Sequence, residues 1–349
     1  MVSSQWSVVI SQEPDYRHPI PDIRNPIPET RFPKPDIRFP KPDSRNPASE
    51  TRHPKPDSRN PIPETRHPIP KTRFPIFNMT YALILGASSG FGAAAAAELA
   101  RSGMNIIGVH LDRASTMPAA IAVQESIRQH GREAHFFNVN AADAEARASV
   151  LDQVAALFQE RPGAHLRLLM HSLAFGALKP LVATNPKEAL TQAQIEMTMN
   201  VMANSLIYWT QAVVARGMMP AGGRILAMSS SGARRVLPMY GAVSAAKAAL
   251  ESYCRQLAFE LGPQGICVNA IQAGVTDTPA LRKIPGAESL IAYARQRNPF
   301  NRLTTPDDVA RLIALLATDA AGWVNGTTIQ VDGGEDSVDT NWQEREVQQ

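Results

Sequence analysis

Cysteine is scarce in this chain: 349 residues contain two, Cys254 and Cys267. That number makes neither a metal-ligand spacing nor a disulfide framework, and it suits a reducing compartment. No apolar run approaches the roughly 18 residues of a membrane span. The stretch from Met1 to Pro14 lacks a basic start followed by an apolar segment. These absences predict a soluble, cytoplasmic chain with no membrane span. Charge of one sign is missing as well. From Met79 onward 22 Lys and Arg stand against 23 Asp and Glu, which leaves nucleic-acid binding without an electrostatic motive. The net charge of +3 arises in the first 78 residues, which carry 13 basic and 9 acidic side chains. Proline is rare after that point too: 17 of the 28 precede Met79. The composition therefore divides the chain into a tail, 1–78, and one large domain, 79–349.

The tail repeats. Arginine recurs every seven residues from Arg17 to Arg73, each followed by His, Asn or Phe and then Pro, as in Arg24-Asn-Pro-Ile-Pro-Glu-Thr. A period of seven would suit a coiled coil, but one or two prolines per unit remove amide donors and clash with the preceding turn. Extended polyproline II or disorder is what remains. Two readings stay open. One is a Pro-rich docking arm; the other is a translated stretch of tandem-repeated DNA ahead of a native start at Met79, which falls just before the first strand.

From Met79 onward, strand-like apolar runs alternate with helical patterns, the signature of a parallel sheet covered on both faces. The predicted strands begin with Tyr81–Gly86, Asn105–His110, His135–Val139 and Leu166–His171. Arg224–Met228, Ile266–Ile271 and Thr328–Val331 complete the series, and the first helix is predicted over Phe91–Ser102. A Rossmann-type, doubly wound α/β fold with a seven-stranded parallel sheet follows, with ligands at the carboxyl ends of the strands.

Gly86-Ala-Ser-Ser-Gly-Phe-Gly92 lies between the first strand and the first helix. Glycines there allow a tight turn and close approach to a pyrophosphate, which the free amides and positive end of the helix attract. Asp112 follows the second strand, where a carboxylate accepts the ribose hydroxyls of an adenosine and repels a 2′-phosphate. Arg113 argues the other way, but the loop offers Ser89 and no basic residue, so NADH is favoured over a possible NADPH.

Further motifs follow in order: Asn138-Val139, Asn200, Ser229-Ser230-Ser231, Tyr240, Lys247, Ala273-Gly-Val-Thr-Asp-Thr278, Pro306-Asp-Asp-Val309 and Val331-Asp-Gly-Gly334. On these residues the chain from Met79 to Gly334 resembles the short-chain dehydrogenase/reductase family. Ordinary members carry Tyr-x3-Lys; here Val243 occupies that tyrosine position and Tyr240 gives Tyr-x6-Lys. Seven helical residues advance about 700°, so Tyr240 and Lys247 are predicted on one face, about 10 Å apart along the axis rather than about 6 Å. A phenol moved away from the carbon that receives hydride suits an α,β-unsaturated thioester, where charge develops on a carbonyl oxygen three bonds away.

Tyr-x6-Lys, His171-Ser-Leu-Ala-Phe and the Asp277–Gly286 segment resemble the FabI/FabL-like enoyl-acyl carrier protein reductases, the last as a mobile substrate lid. Ser230 matches both the FabL-like branch and ordinary dehydrogenases, and Asn200 matches the latter, so the branch stays open. The resemblance implies Tyr240, Lys247, Ser230 and Asn200 as catalytic residues. Tyr240 would bind the thioester carbonyl; Lys247 would hold the nicotinamide ribose and lower the phenol's pKa. It implies cofactor contacts from Gly86, Ser88, Ser89, Gly90, Phe91, Gly92, Asp112, Asn138, Val139, Ser172, Leu173, Lys247, Val275 and Thr278. For Ser230 a strand-terminating role, and for Asn200 a bracing role, fit the sequence equally. His171 is expected to line the cofactor pocket, with no partner spaced for a metal, and His110 to be merely structural. The implied reaction is NAD(P)H-dependent reduction of enoyl thioesters on acyl carrier protein or coenzyme A in fatty-acid elongation, by a homotetramer. A carbonyl reductase or alcohol dehydrogenase of the same fold is the alternative.

Overall fold

The first strand shows why this sequence folds into layers. Along Thr80–Leu85 every side chain is buried, and a period of two sends alternate residues to opposite faces. Tyr81, Leu83 and Leu85 join a core with Val150, Trp209 and Leu250, while Ala82 and Ile84 join a second with Leu99, Ile106 and Ile313. A strand apolar on both faces belongs at the centre of a sheet between two helical layers. Each such side chain contributes roughly 1.5–3 kcal/mol by leaving water.

In the computed structural model, which describes residues 79–338, strands and helices alternate, with a helix pair before the fifth strand and another before the seventh. They are β1 (Thr80–Leu85), α1 (Gly90–Arg101), β2 (Asn105–His110), α2 (Met117–Gln129), β3 (Ala134–Asn138), α3 (Ala144–Gln159) and β4 (His165–His171). Next come α4 (Gln192–Met199), a π-helical turn (Asn200–Asn204), α5 (Ser205–Ala215), β5 (Arg224–Ser230) and α6 (Gly241–Leu261). β6 (Cys267–Ala273), α7 (Ala287–Arg297), α8 (Pro306–Leu316) and β7 (Thr328–Val331) complete the domain. The seven strands are parallel in the order β3-β2-β1-β4-β5-β6-β7. The order reverses between β1 and β4, which opens a crevice at the carboxyl ends of those strands. The expected seven-stranded doubly wound sheet is therefore the observed one. The repeat tail lies outside the described residues. Among those residues no helix is long and apolar enough to cross a membrane.

Local chemistry sets the element ends. Thr191 and Thr305 start α4 and α8 through capping boxes with Gln194 and Asp308, and Pro306 fits the first turn of α8, where no amide partner is required. The carbonyls that α8 leaves open are taken by two buried arginines: Arg224 donates to Leu316 and Thr318, and Arg167 to Ala317. β2 and β7 have the predicted bounds. β5 and β6 run two residues further, because Ser229 and Ser230 pair in register with Gln272 and Ala273. Polar residues inside a ladder read as loop when only hydropathy is available.

Candidate active site

Backbone geometry builds one end of the crevice. After β1 the chain turns at Gly86, whose φ of +91° excludes most side chains, and the amides of Gly86 and Ala87 donate to the Val109 carbonyl at 2.8 and 3.1 Å. A Cβ on Gly86 would lie 2.4 Å from the Ser172 carbonyl oxygen, and one on Gly92 only 2.0 Å from that of Gly86. The loop thus holds α1 against the ends of β1 and β4 at a distance only glycine permits. Ser89 is extended and its side chain caps nothing, so the positive end of α1 stays available to an anion. This cradle fits a dinucleotide pyrophosphate.

Asp112 lies just beyond β2. Its amide donates to Asn138 Oδ1 at 2.8 Å, and Asn138 Nδ2 returns a bond to the Asp112 carbonyl at 3.0 Å. Burial by itself would raise the Asp112 carboxyl, but hydrogen bonds with Thr116, Ser88 and His110 hold it below the ordinary carboxylate range. His110, expected to be merely structural, places its Nδ1 2.8 Å from Asp112 Oδ2 and so orients that carboxylate. Its position two residues before Asp112 was the available signal. Val139 closes the neighbouring strand end by donating to the His110 carbonyl at 2.8 Å. The Arg113 amide donates to Thr116 Oγ1 at 3.2 Å.

Side chains build the other end. A cavity of about 470 Å³ is walled by the segment that follows β4, the ends of β5 and β6, the start of α6, the Asp277–Gly286 segment and α7. Tyr240, Lys247, Ser230, Ser172, Leu173, Phe91, Val275 and Thr278 all line it. Asn200 does not. It opens the π-helical turn, which packs against α6. Thr278 reaches across to the glycine loop, 3.6 Å from where a Cβ on Gly90 would stand.

Tyr240 is the N-cap residue of α6, with φ −98° and ψ 2°, preceded by Met239 at φ +60°, and it lines the same cavity as Lys247. Its ring lies against Gly232, where a Cβ would be 2.6 Å from the ring. Burial raises the phenol's pKa, opposed by a hydrogen bond with Ser230. Lys247, expected to lower it, is not among the groups that shift it. Lys247 Nζ is turned away to the Met228 carbonyl at 2.6 Å and the Leu173 carbonyl at 3.4 Å. Burial pushes Lys247 down to about 8, against the charges of Cys254 and Glu251.

The three serines separate cleanly. Ser229 donates to the buried Glu251 at 2.5 Å, Ser230 faces Tyr240 and accepts the Gly232 amide at 3.1 Å, and Ser231 starts a 3₁₀ turn. His171 is corrected as well. It is wholly buried and absent from the cavity wall, with Nε2 2.9 Å from Ser205 Oγ and Nδ1 without a partner. Since Ser205 Oγ donates to the Val201 carbonyl at 2.7 Å, it accepts from a protonated Nε2. Burial, then the Lys247 charge, push this imidazole down to about 3, so it is neutral. Val275 donates its amide to Glu335 at 3.0 Å, another carboxylate the sequence did not single out. Among the described residues no cluster of three metal-ligating side chains is present.

Comparison with known proteins agrees with this arrangement. Residues 86–335 match the family model described as enoyl-(acyl carrier protein) reductase. The 1-cyclohexenylcarbonyl-CoA reductase of Streptomyces collinus is 30% identical over 254 residues, 72% of this chain and 85% of that protein. The NADH-dependent enoyl-[acyl-carrier-protein] reductase FabI of a Synechocystis strain is 36% identical over 188 residues, 52% of this chain and 70% of that one. A solved structure of the angucycline C-6 ketoreductase LanV with bound NADP superposes with a TM-score of 0.64 at 29% identity, over 74% of this chain and 96% of that one.

Proposed function

The chain belongs to the short-chain dehydrogenase/reductase superfamily and is a nicotinamide-dependent oxidoreductase, and from that premise we propose that it reduces the carbon–carbon double bond of enoyl thioesters. One observation carries the reading. Tyr240 is the tyrosine that meets Lys247 in the cavity, seven residues before it, while Val243 contributes only apolar surface at the three-residue spacing.

The residues divide the work. A bound nicotinamide would supply the hydride for the β-carbon of the substrate, and a proton from solvent would complete saturation at the α-carbon. Tyr240 then donates a hydrogen bond to the thioester carbonyl, where the negative charge of the enolate collects. A phenol raised by burial keeps its proton at neutral pH, as an oxyanion donor must, and Ser230 fixes its hydroxyl. Lys247, tethered to two carbonyls, keeps a proton for the nicotinamide ribose. Asp112 favours NADH by accepting the adenosine ribose hydroxyls and repelling a 2′-phosphate, and the FabI relative, named for NADH, supports that choice. The apolar wall from Phe91, Met202 and Ile284 suits an acyl chain. A place in fatty-acid elongation on acyl carrier protein or coenzyme A, and a homotetramer, complete the reading.

The Ser230–Tyr240 hydrogen bond and the likeness to a ketoreductase favour a second reading, a carbonyl reductase. Oxidation of NADH and of NADPH is followed with crotonyl and with acetoacetyl thioester, using deuterated cofactor. Deuterium at the β-carbon of the saturated product is expected, with NADH the better donor. Label on a carbinol carbon would transfer the assignment to the carbonyl reductase.

A further inference from the structure

The carboxyl end of β5 is stitched to α6 by three consecutive residues. Met228 offers its carbonyl to Lys247 at 2.6 Å, Ser229 donates to Glu251 at 2.5 Å, and Ser230 hydrogen-bonds Tyr240. The middle stitch is the unusual one. Glu251 is 8% exposed, sits inside an Ala-rich helix, and does not line the cavity. Burying a carboxylate costs free energy unless something compensates it. One compensation is the Ser229 hydroxyl. The other is Lys247, four residues earlier on the same helical face.

We infer that Glu251 is a positioning residue for the reaction: through Ser229 it sets the strand end that presents Ser230 to Tyr240, and its carboxylate stands one helical turn beyond Lys247 on the same side of α6. The inference rests on the assignment of Lys247 to the cofactor. Among the other groups facing Lys247, Cys254 also favours the ammonium electrostatically. Burial raises the Cys254 thiol, on the same helix, to about 12, which leaves it protonated. His171, at the end of β4, is neutral, and Tyr240 is a protonated phenol. The π-helical turn presents Asn200 and Asn204, the latter bound to the Tyr253 hydroxyl.

The sign follows directly. Lys247 titrates near 8, so cofactor affinity and turnover should fall as the pH rises through that value. Removing a negative charge beside an ammonium lowers its pKa further, so the alkaline limb should move toward neutrality.

The test measures NADH affinity by fluorescence titration, and kcat/KM, from pH 6 to 10 in the full chain. Glu251→Gln keeps an oxygen for Ser229 but loses the charge; its alkaline limb should shift down by about half a pH unit or more, with Tm little changed. Glu251→Met, neutral and of similar volume, should give the same shift and serves if the glutamine variant does not fold. Ser229→Ala keeps the charge and cuts the stitch, so its limb should stay in place while turnover falls several-fold. A wild-type limb in both neutral variants, or an equal shift in Ser229→Ala, overturns the inference. Lys247→Ala separates the two levels. If it leaves NADH affinity at pH 7 unchanged, the cofactor role of Lys247 falls and the inference falls with it. If it weakens NADH while the Glu251 variants keep the wild-type limb, only the role of Glu251 is lost.

Discussion

The two ends of the crevice are made of different materials. At the glycine loop the geometry is held by main chain: two amides on the Val109 carbonyl, and two positions where a Cβ would collide with a carbonyl oxygen. At the junction of β5 and α6 it is held by buried polar side chains, among them Lys247, Glu251, Ser229 and Tyr240. The first end carries Asp112, its partner His110 at the end of β2, and Arg113. The second concentrates displaced pKa values, with Lys247 and His171 lowered and Tyr240 and Cys254 raised. Binding at the glycine end should depend on shape and little on pH, whereas chemistry at the other should depend on both.

Three variants test that contrast. The largest effect belongs to Tyr240→Phe, which keeps the ring against Gly232 and removes the hydroxyl. Turnover on an enoyl thioester should drop by about 10²-fold or more, the cost of one oxyanion donor, while NADH affinity and Tm stay near wild type. Steady-state kinetics beside a binding titration measure both, and turnover at the wild-type rate would remove the phenol from the mechanism.

Gly92→Ala attacks the other end by shape alone. Its methyl would need the space 2.0 Å from the Gly86 oxygen, and since that atom is backbone, α1 must move. Overpacking of this kind costs roughly 1–3 kcal/mol. A lower Tm and weaker NADH binding are expected, equally at pH 6 and pH 9. A pH-dependent loss would erase the distinction between the two ends.

The smallest effect concerns His171. Its folded pKa lies near 3, below the 6.5 of an unfolded chain, so the unfolded state binds more protons between those values. Stability from the neutral imidazole is full above about pH 6.5 and is lost as the pH falls toward 3. His171→Gln keeps a donor for Ser205 without a titrating ring, so its Tm should decline less between pH 6.5 and 4.5 than the wild type's. Parallel Tm profiles would show that another group controls the acid limb.

How much of this was legible in advance depends on the kind of interaction. β2 could be bounded to the residue because the polar Asn105 and His110 bracket the run Ile106–Val109. The glycine loop was legible because positive φ and close approach restrict residue type so strongly. Ser229 and Glu251 were not, because their relation spans 22 positions, and a serine run beside a strand looks like a loop until the β5–β6 register places it in the ladder. Tyr240 was found by spacing; that it starts α6, directly after the positive-φ residue Met239, was not legible.

Local sequence by itself determined the alternation of strands and helices, the seven-stranded parallel sheet, the glycine turn and the residue types at positions 240 and 247. Each follows from steric limits or hydrophobic periodicity acting over a few neighbouring positions. Only the tertiary structure decided which serine meets Tyr240, that Asn200 and His171 stand outside the cavity wall, and that the Tyr240 phenol is raised rather than lowered. Those outcomes depend on desolvation and on hydrogen-bond partners brought from distant segments.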